Sequence, residues 1–427
     1  MTRQDFPRVG ETMYRQVLEN GLTVFVFPKP EHGKSYAFFA TNYGGMDMRF
    51  RLNGQWHDTP AGVAHFLEHK MFDTQDGNAL QDLASNGASP NAFTSSAITG
   101  YYFESTEKFE ENLRILLSFV SVPWFTPESV DKEQGIIAQE IRMIEDNPDW
   151  QVFTNMMAGL YKHHPIRTCV AGTVESISHI TADTLYACHK AFYDPSNMVL
   201  CVAGNVDPER VCAIAREILP PKASGMTVER DYGACEPEQA AQPMVEVRME
   251  VAAPLFQLAF KGDGTVSGEE TLRVQLLGEL VMEVLAGKSS ALYASLYEEG
   301  LINSEFGCGC EMYPGCVFLY AGGEGRDPEQ VRGRIMEQAR RLVREGIDEA
   351  LWQRLKKAAY GSRVRALNSF ENLCVEQAQC FFAGAQSLSF PEIFDRLDTR
   401  DACRMLERWV TEERATLSVV RPKEAEE

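Results

Sequence analysis

The hydrophobic positions of this chain follow two periods, and each period predicts one type of element. Short runs rich in β-branched residues predict strands. These runs cover residues 22–27, 198–203, 244–251 and 415–420. Apolar residues at helical spacing predict single helices and pairs of amphipathic helices. The single helices cover 61–72 and 272–285, and the pairs cover 127–162 and 348–384.

The second half of the chain repeats the order of elements found in the first: strand, apolar helix, helix pair, closing strand. A stretch rich in Pro, Gly and charge lies between the two copies. A period of about 200 residues is too long for a solenoid. We therefore predict the α+β class, with two homologous α/β-roll domains, each an antiparallel sheet flanked by helices, related by internal duplication. The expected domains are 1–219 and 244–427, joined by a linker at 220–243.

Composition and charge limit the classes of function. Of the 427 residues, 24% are charged and 44% hydrophobic, as in ordinary globular proteins. The 41 basic and 61 acidic residues give a formal net charge of −20, which disfavours nucleic acid and anionic membranes as partners. No window approaches the ~18 consecutive apolar residues of a membrane span. The first ten residues also lack the pattern of a signal peptide.

Cysteine usage favours a cytoplasmic protein. The 11 cysteines are scattered and form no CxxC pair. Their closest cluster, Cys308, Cys310 and Cys316, lies in a stretch with strand-like alternation. We interpret them as reduced thiols, with zinc ligation or a disulfide framework as the alternatives.

The residues that carry chemistry stand together in the segment from His65 to His69, which reads His-Phe-Leu-Glu-His. Histidines four residues apart on a helix point to one side, so both imidazoles can reach one metal ion. Glu68 projects toward the same side and can reach a water molecule at that ion. The order H-x-x-E-H is that of inverted zinc peptidases. The alternative, two structural histidines, is disfavoured because the apolar flanks indicate a buried helix, where unpaired imidazoles are costly.

The next long helix offers a third ligand, which a catalytic zinc site requires. Glu133 and Glu140 lie two turns apart on one face of this helix. The same face carries Ile136, Ile137 and Ile144. Two carboxylates on an apolar face need a positive partner, which is either a metal ion or an internal arginine or lysine. Glu140 is the better candidate ligand, and Glu133 would hold a ligand or the base in place.

At these residues the sequence resembles the pitrilysin/insulinase family of zinc peptidases. The likeness covers essentially the whole chain and is clearer in the first half. Length and motif order are similar to those of the short bacterial members, which use one two-domain chain per subunit. The landmarks, in order, are residues 20–22, 62–69, 87–94, Glu133, Glu140, 171–177, 193–198 and 204–207.

The resemblance implies a zinc-dependent endopeptidase with one Zn²⁺ per chain, in the first domain only. It implies His65, His69 and Glu140 as zinc ligands. It implies Glu68 as the catalytic general base. Glu133 matches the family's second, supporting glutamate, and is counted with Glu68 in the catalytic group.

The resemblance also implies a substrate-binding strand. Asn91, Ala92 and Phe93 match the family's edge strand, where an extended peptide is held by backbone hydrogen bonds. A clamshell of two related chains would enclose the site, so unfolded peptides small enough to enter are the expected substrates. The spacing from His69 to Glu140 is shorter than in many members, and a shortened loop between residues 105 and 127 is expected to account for it.

One departure from the family concerns the second half. Active members, or their partner subunits, carry an Arg…Tyr pair there, whereas this chain has Tyr297 and Asn303 at the matching positions. The second half is therefore expected not to complete the site. We hypothesise a heterodimer in which a metal-free paralogous subunit brings the Arg/Tyr pair, with a homodimer as the alternative. Two other classes stay open: a non-catalytic scaffold or processing-complex subunit of the same fold, and a structural zinc protein, for which no fourth ligand is evident.

Overall fold

The computed structural model describes residues 1–221, 227–264 and 266–423. The strands up to residue 230 are β1 (Thr2–Phe6), β2 (Glu11–Val17), β3 (Thr23–Pro28), β4 (Ser35–Thr41), β5 (Arg49–Leu52), β6 (Gln55–Asp58), β7 (Asp73–Thr74), β8 (Gly77–Asn78), β9 (Ser89–Thr94), β10 (Thr99–Ser105), β11 (Met198–Gly204) and β12 (Val228–Arg230). The helices of this part are α1 (Val63–Met71), α2 (Ala79–Ser85), α3 (Phe109–Ser121), α4 (Pro127–Glu145), α5 (Pro148–Leu160), α6 (Val174–Ile177), α7 (Ala182–Phe192) and α8 (Pro208–Ile218).

The remaining elements form the second half. Its strands are β13 (Met244–Met249), β14 (Leu255–Lys261), β15 (Gly307–Tyr313), β16 (Cys316–Glu324) and β17 (Ala415–Pro422). Its helices are α9 (Glu269–Ala286), α10 (Ala291–Glu298), α11 (Pro328–Glu345), α12 (Glu349–Ala366), α13 (Phe370–Phe382), α14 (Phe390–Arg396) and α15 (Thr399–Trp409). None of the described helices is long and apolar enough to cross a membrane.

The first half is built on a seven-stranded sheet with the order β1-β2-β3-β11-β4-β10-β9. β3 and β11 run parallel, and all other neighbours in this sheet are antiparallel. β4 and β11 are buried along their whole length, as expected for central strands covered on both faces. β9 lies at one edge of the sheet, so one side of its backbone has no neighbouring strand within the described part of the chain.

The second half repeats the inner part of this architecture. Its five strands have the order β13-β17-β14-β16-β15, with β13 parallel to β17 and the other neighbours antiparallel. Strands β3, β11, β4, β10 and β9 therefore correspond one for one to β13, β17, β14, β16 and β15. By the same order, α1 corresponds to α9, α4 to α12 and α5 to α13. The predicted α+β class with two related sheet-and-helix units is confirmed.

The two halves exchange helices. α5, from the first half, packs on β14 and β17 of the second sheet, and α13, from the second half, packs on β4 and β11 of the first sheet. The approach is close at Gly159 of α5, where a Cβ atom would lie 2.3 Å from the Oγ1 of Thr416. Buried residues of both halves consequently share one hydrophobic cluster. The apolar face of each exchanged helix thus stabilises the other half.

The segment expected as a linker contains ordered structure in its described part. β12 pairs antiparallel with β5. The guanidinium of Arg230 (Nε) and the hydroxyl of Tyr232 both donate to Oδ1 of the buried Asp47, each at 3.0 Å. Residues 222–226 of this stretch lie outside the described residues. The boundaries proposed from the sequence stay a prediction.

Local capping signals place the helices that carry the candidate site. Thr126 caps α4 through the backbone N–H of Ser129, and Pro127 occupies its first turn. Asn147 is the N-cap of α5, so α4 ends just before it. The segment between residues 105 and 127, where a shortened loop is expected, contains α3, and its shortening relative to other family members stays a prediction. That helix buries an apolar stripe at helical spacing: Leu113, Leu116, Leu117 and Val120.

Candidate metal centre

Helix α1 holds two histidines on the side that is not buried. Gly62 precedes the helix with φ of 96°, and a Cβ there would lie 2.6 Å from the carbonyl oxygen of Ala171, so glycine is required. The ring centroids of His65 and His69 are 4.7 Å apart, and their side chains are only partly exposed. The opposite side of the helix is anchored in the core by Val63, Phe66, Leu67 and Met71.

Helix α4 brings a carboxylate to the two imidazoles. Nε2 of His65 lies 3.4 Å from Oε1 of Glu140, and Nε2 of His69 lies 3.5 Å from Oε2 of the same carboxylate. Ligand atoms of the three residues all lie within 4.8 Å of one another, and no other such group of three occurs among the described residues. Zinc binds N and O ligands at about 2.1 Å, which in a tetrahedral arrangement separates them by about 3.4 Å. The three side chains therefore fit a zinc ion in donor type and in spacing.

Glu133 supports one of these imidazoles. Its Oε1 lies 3.1 Å from Nδ1 of His69. An ionised carboxylate only accepts, so Nδ1 carries a proton, and Nε2, on the side of Glu140, is the ring atom that could bind a metal. This is the arrangement by which a carboxylate orients a metal-binding histidine. The matching atom of His65, Nδ1, is buried and has no hydrogen-bond partner among the described residues.

The electrostatics of the group favour a positive charge. Burial opposes protonation of His69, but its hydrogen bond to Glu133 and the charges of Glu68, Glu140 and Glu133 outweigh burial and raise its pKa. The hydrogen bond with His65 is the main cause that lowers the pKa of Glu140, although partial burial opposes it. A divalent cation would satisfy the same carboxylates.

Glu68, on the same helix as the two histidines, is buried and has one side-chain hydrogen bond. The hydroxyl of Thr94 donates to its Oε2 at 2.7 Å. The other oxygen, Oε1, makes no hydrogen bond to any described residue. Beside Glu68 lie the hydroxyls of Tyr101 and Tyr193, 2.8 Å apart. Burial and then neighbouring charges and hydrogen bonds, Glu68 included, raise the pKa of Tyr101, so this phenol stays neutral.

The strand expected to bind a peptide is the edge strand β9, next to α1. In the turn between β9 and β10, the N–H of Ser95 donates to the carbonyl oxygen of Ile98. Successive N–H groups of a strand point in alternate directions, so those of Ala92 and Thr94 point away from β10. Pro90, which lacks an N–H, falls on the same outward side, as prolines in edge strands do. The outward N–H of Ala92 donates to Oδ1 of Asn91 at 2.9 Å.

Side chains of β9 face two directions. Ala92 packs with the cluster around α1, and Thr94 reaches Glu68 on the same side. Phe93 points the other way and stacks on Phe38, with ring centroids 5.8 Å apart. The structure thus brings the three predicted metal ligands together, sets Glu133 behind one of them, and places residues 91–93 on the open edge beside them.

Two features of the site were not predicted from the sequence. The contact of Thr94 with Glu68 was missed, although the two-residue period of a strand sets Thr94 on the same face as Ala92. The face of α4 expected to be apolar is partly open: Ile137 is buried, but Ile136 is 46% exposed. The helical period predicts which residues share a face, not which neighbours cover that face.

The corresponding helices of the second half hold a different group. Arg363 of α12 bonds Glu279 of α9 at 2.9 Å and Glu376 of α13 at 2.5 Å. Tyr297, expected at the family's arginine position, is exposed and stacks on Tyr293. Asn303, expected at the tyrosine position, uses its Oδ1 to accept the N–H of Glu305 two residues on.

Comparison with known proteins assigns the class. The model of the insulinase family, peptidase family M16, matches residues 53–174, and the model of the peptidase M16 inactive domain matches 179–359. The chain belongs to this family of peptidases.

Three relatives make the comparison specific. The chain is 38% identical to the uncharacterized zinc protease YmfH of Bacillus subtilis, over 98% of this chain and 99% of the relative. The crystal structure of an M16-like peptidase from Alicyclobacillus acidocaldarius matches with a TM-score of 0.94 and 31% identity, over 99% of this chain and 100% of that one. A peptidase M16 inactive domain from Pseudomonas fluorescens shares the fold, with a TM-score of 0.78 and 16% identity over 97% and 99% of the two chains.

Proposed function

We propose that this chain is the zinc-bearing subunit of a metalloendopeptidase that hydrolyses small unfolded peptides. The observation that carries the proposal is the convergence of His65, His69 and Glu140, at separations that suit a tetrahedral zinc ion. The zinc protease name of the similar YmfH protein supports it. The cytoplasmic location expected from the sequence remains part of this proposal.

The roles of the side chains follow from their contacts. His65, His69 and Glu140 would hold one zinc ion, with Glu133 orienting His69. A zinc ion bound there supplies Lewis-acid chemistry that polarises a peptide carbonyl and acidifies a water molecule. Glu68 takes the proton of the attacking water on its free oxygen and delivers it to the nitrogen of the leaving amine. Its fixed Oε2 leaves Oε1 for this transfer.

The open edge of β9 suits an extended peptide. A peptide strand that adds to this edge can form hydrogen bonds with the outward backbone of Ala92. These bonds do not depend on the side chains of the peptide, so varied sequences are accommodated. The amide oxygen of Asn91 occupies the N–H of Ala92 in the free chain and must give way to the carbonyl of the peptide. Unfolded segments present a free strand of this kind.

The second half suggests a need for a partner. Tyr297 and Asn303 stand where the resemblance places the Arg…Tyr pair of active members, and the contacts described for their side chains are with Tyr293 and Glu305, both in the second half. We propose that a metal-free paralogous subunit supplies this pair in a heterodimer. A homodimer is the competing arrangement.

A non-catalytic role in a scaffold or processing complex is the second candidate. The match of residues 179–359 to the M16 inactive domain and the replaced Arg…Tyr pair favour it. The complete set of metal-binding side chains favours the peptidase. A chain without a catalytic role has no need of Glu68 held beside two imidazoles.

The test combines metal analysis with peptide cleavage. Zinc is quantified in the purified chain, and a fluorogenic peptide library is offered to the chain alone and with its co-purified paralogue. Zinc near one per chain with cleavage only in the mixture supports the whole proposal, whereas strong cleavage by the pure chain rejects the heterodimer. Zinc without cleavage in either sample supports the non-catalytic subunit. Absence of zinc binding overturns the metal site.

Replacement of the base sharpens this test. In Glu68→Gln the metal ligands are intact, so zinc content should stay at the level of the unchanged chain, while cleavage falls by a hundredfold or more, on the order of the contribution of a general base. Loss of zinc in this variant would show that Glu68 is a ligand instead.

A further inference from the structure

We propose that Thr94 is a positioning residue, whose hydroxyl fixes the carboxylate of Glu68 and joins the orientation of the base to the strand that receives the peptide. This inference rests on the proposed function and concerns the same site. It assigns a role to a residue outside the metal ligands and the base.

The contact is direct and enclosed. Oγ1 of Thr94 lies 2.7 Å from Oε2 of Glu68, the distance of a strong hydrogen bond to an ionised carboxylate. Glu68 itself is 9% exposed. A long side chain with three rotatable bonds is here confined by a partner from another element, because Glu68 lies on α1 and Thr94 on β9.

The neighbouring hydrogen bonds determine where the hydroxyl proton of Thr94 points. The hydroxyl of the fully buried Thr99 donates to the carbonyl oxygen of Tyr43 at 2.9 Å. Oγ1 of Thr99 also lies 3.4 Å from Oγ1 of Thr94, and a hydrogen bond between these two hydroxyls is the weaker alternative. The single hydroxyl proton of Thr94 therefore goes to Oε2 of Glu68. One oxygen of the base is held, and the other is left for water.

The position of Thr94 in the strand gives the bond its significance. Thr94 ends the edge strand two residues after Ala92, and both have their backbone N–H directed outward and their side chains on the face of α1. A peptide that docks on this edge therefore takes its register from the same strand that orients Glu68. Small errors in such geometry reduce rates strongly, by about a hundredfold for a displacement of 1 Å.

Two substitutions separate the hydroxyl from the packing. Thr94→Val removes the hydroxyl and keeps the shape, and Thr94→Ser keeps the hydroxyl and removes a methyl group. In the zinc-loaded chain with its partner subunit, Thr94→Val should lower kcat about tenfold to a hundredfold with KM within about twofold. Thr94→Ser should recover most of the loss, and zinc content should be equal in all samples. Thr59→Val, which removes a hydroxyl that donates to the carbonyl of Met48, is the control with unchanged kcat.

The outcomes divide cleanly. An unchanged kcat in Thr94→Val overturns the inference, and so does a Thr94→Ser as slow as the valine variant. Crystal structures of the zinc-loaded variants give a second measurement that needs no turnover: Glu68 should keep one orientation in Thr94→Ser and lose it in Thr94→Val. If the unchanged protein cleaves no peptide, the proposed function fails, and the orientation of Glu68 still decides the role of Thr94.

Discussion

The two halves of the molecule use one architecture to hold two different charge arrangements. In the first half, α1 and α4 bring together two imidazoles and a carboxylate. In the second half, the corresponding α9 and α12 bring together Glu279 and Arg363, and α13 adds Glu376. Both arrangements place carboxylates between packed helices, where an unbalanced charge is costly.

The difference lies in the source of the cation. The second half supplies its own, since the guanidinium of Arg363 bridges two glutamates and is 16% exposed. Burial lowers the pKa of Arg363, but the charges of Glu279 and Glu376 outweigh this and raise it. The first half has no lysine or arginine bonded to Glu133 or Glu140 among the described residues, so its balance must come from protonated histidine or from a metal ion. In the second half the carboxylates are thus neutralised by an arginine of the chain, whereas in the first half the corresponding position can take a cation.

The largest effect on stability should follow removal of the internal cation. Arg363→Met leaves Glu279 and Glu376 close together without a positive partner, so we expect the free energy of unfolding to fall by about 3 kcal/mol. Zinc content should not change, because the first half is self-contained in its ligands. Urea denaturation and metal analysis of the same samples provide both values.

An exposed arginine provides the control for this variant. Arg344 pairs with Glu345 on the surface of α11 and is 70% exposed, so Arg344→Met should cost less than about 1 kcal/mol. Equal stability of Arg363→Met and Arg344→Met would contradict the view that the second half depends on its own cation.

A smaller effect should follow removal of the support in the first half. Glu133→Ala deletes the acceptor of the Nδ1 proton of His69 without removing a ligand. We expect zinc affinity to fall about tenfold to a hundredfold, as for other carboxylates behind a metal-binding histidine. Competition with a chromophoric chelator measures it.

The matched variant on the same helix is Glu128→Gln, an exposed first-turn residue of α4. Its zinc affinity should equal that of the unchanged chain. If Glu133→Ala also binds zinc with full affinity, His69 does not depend on that carboxylate for its orientation.

What could be predicted from the sequence depends on the distance over which the information is encoded. Two signals are local: the spacing of His65 and His69, and the Thr126 cap with Pro127. The helices and the candidate metal motif could therefore be predicted. Glu140 lies far along the chain from His69, but its own helical face marked it as a residue that needs a cation.

The remaining features depend on packing that local patterns do not encode. An amphipathic helix must bury its apolar face, yet nothing in the periods of α5 and α13 indicates that each packs on the sheet of the other half. The exposure of Ile136 was missed for the same reason. The partners of Arg363 lie on two other helices, so their meeting is a property of the fold.

The smallest effect on the free energy of unfolding should come from a contact between the two halves, centred on Glu236, and it should depend on pH. The carboxylate of Glu236, in the segment expected as a linker, accepts the N–H of Lys162 at 3.1 Å and of His164 at 2.6 Å, together with that of His163. It also bonds Nζ of the buried Lys261 at 2.7 Å. Burial raises the pKa of Glu236, but Lys261 and these backbone donors outweigh it and lower the pKa to about 2.

A depressed pKa stabilises the folded state in full only where the carboxyl group is ionised in the unfolded chain as well, and this sets the pH window. The contribution of Glu236 should be complete above its ordinary pKa of 4.5 and should be lost as pH falls from there toward about 2. At pH 7 we expect Glu236→Gln to unfold with about 1 to 2 kcal/mol less free energy than the unchanged chain. At pH 3 the two chains should differ less. Urea denaturation at both pH values measures the gap, and a gap that widens toward low pH would show that the carboxylate does not stabilise this contact through its charge.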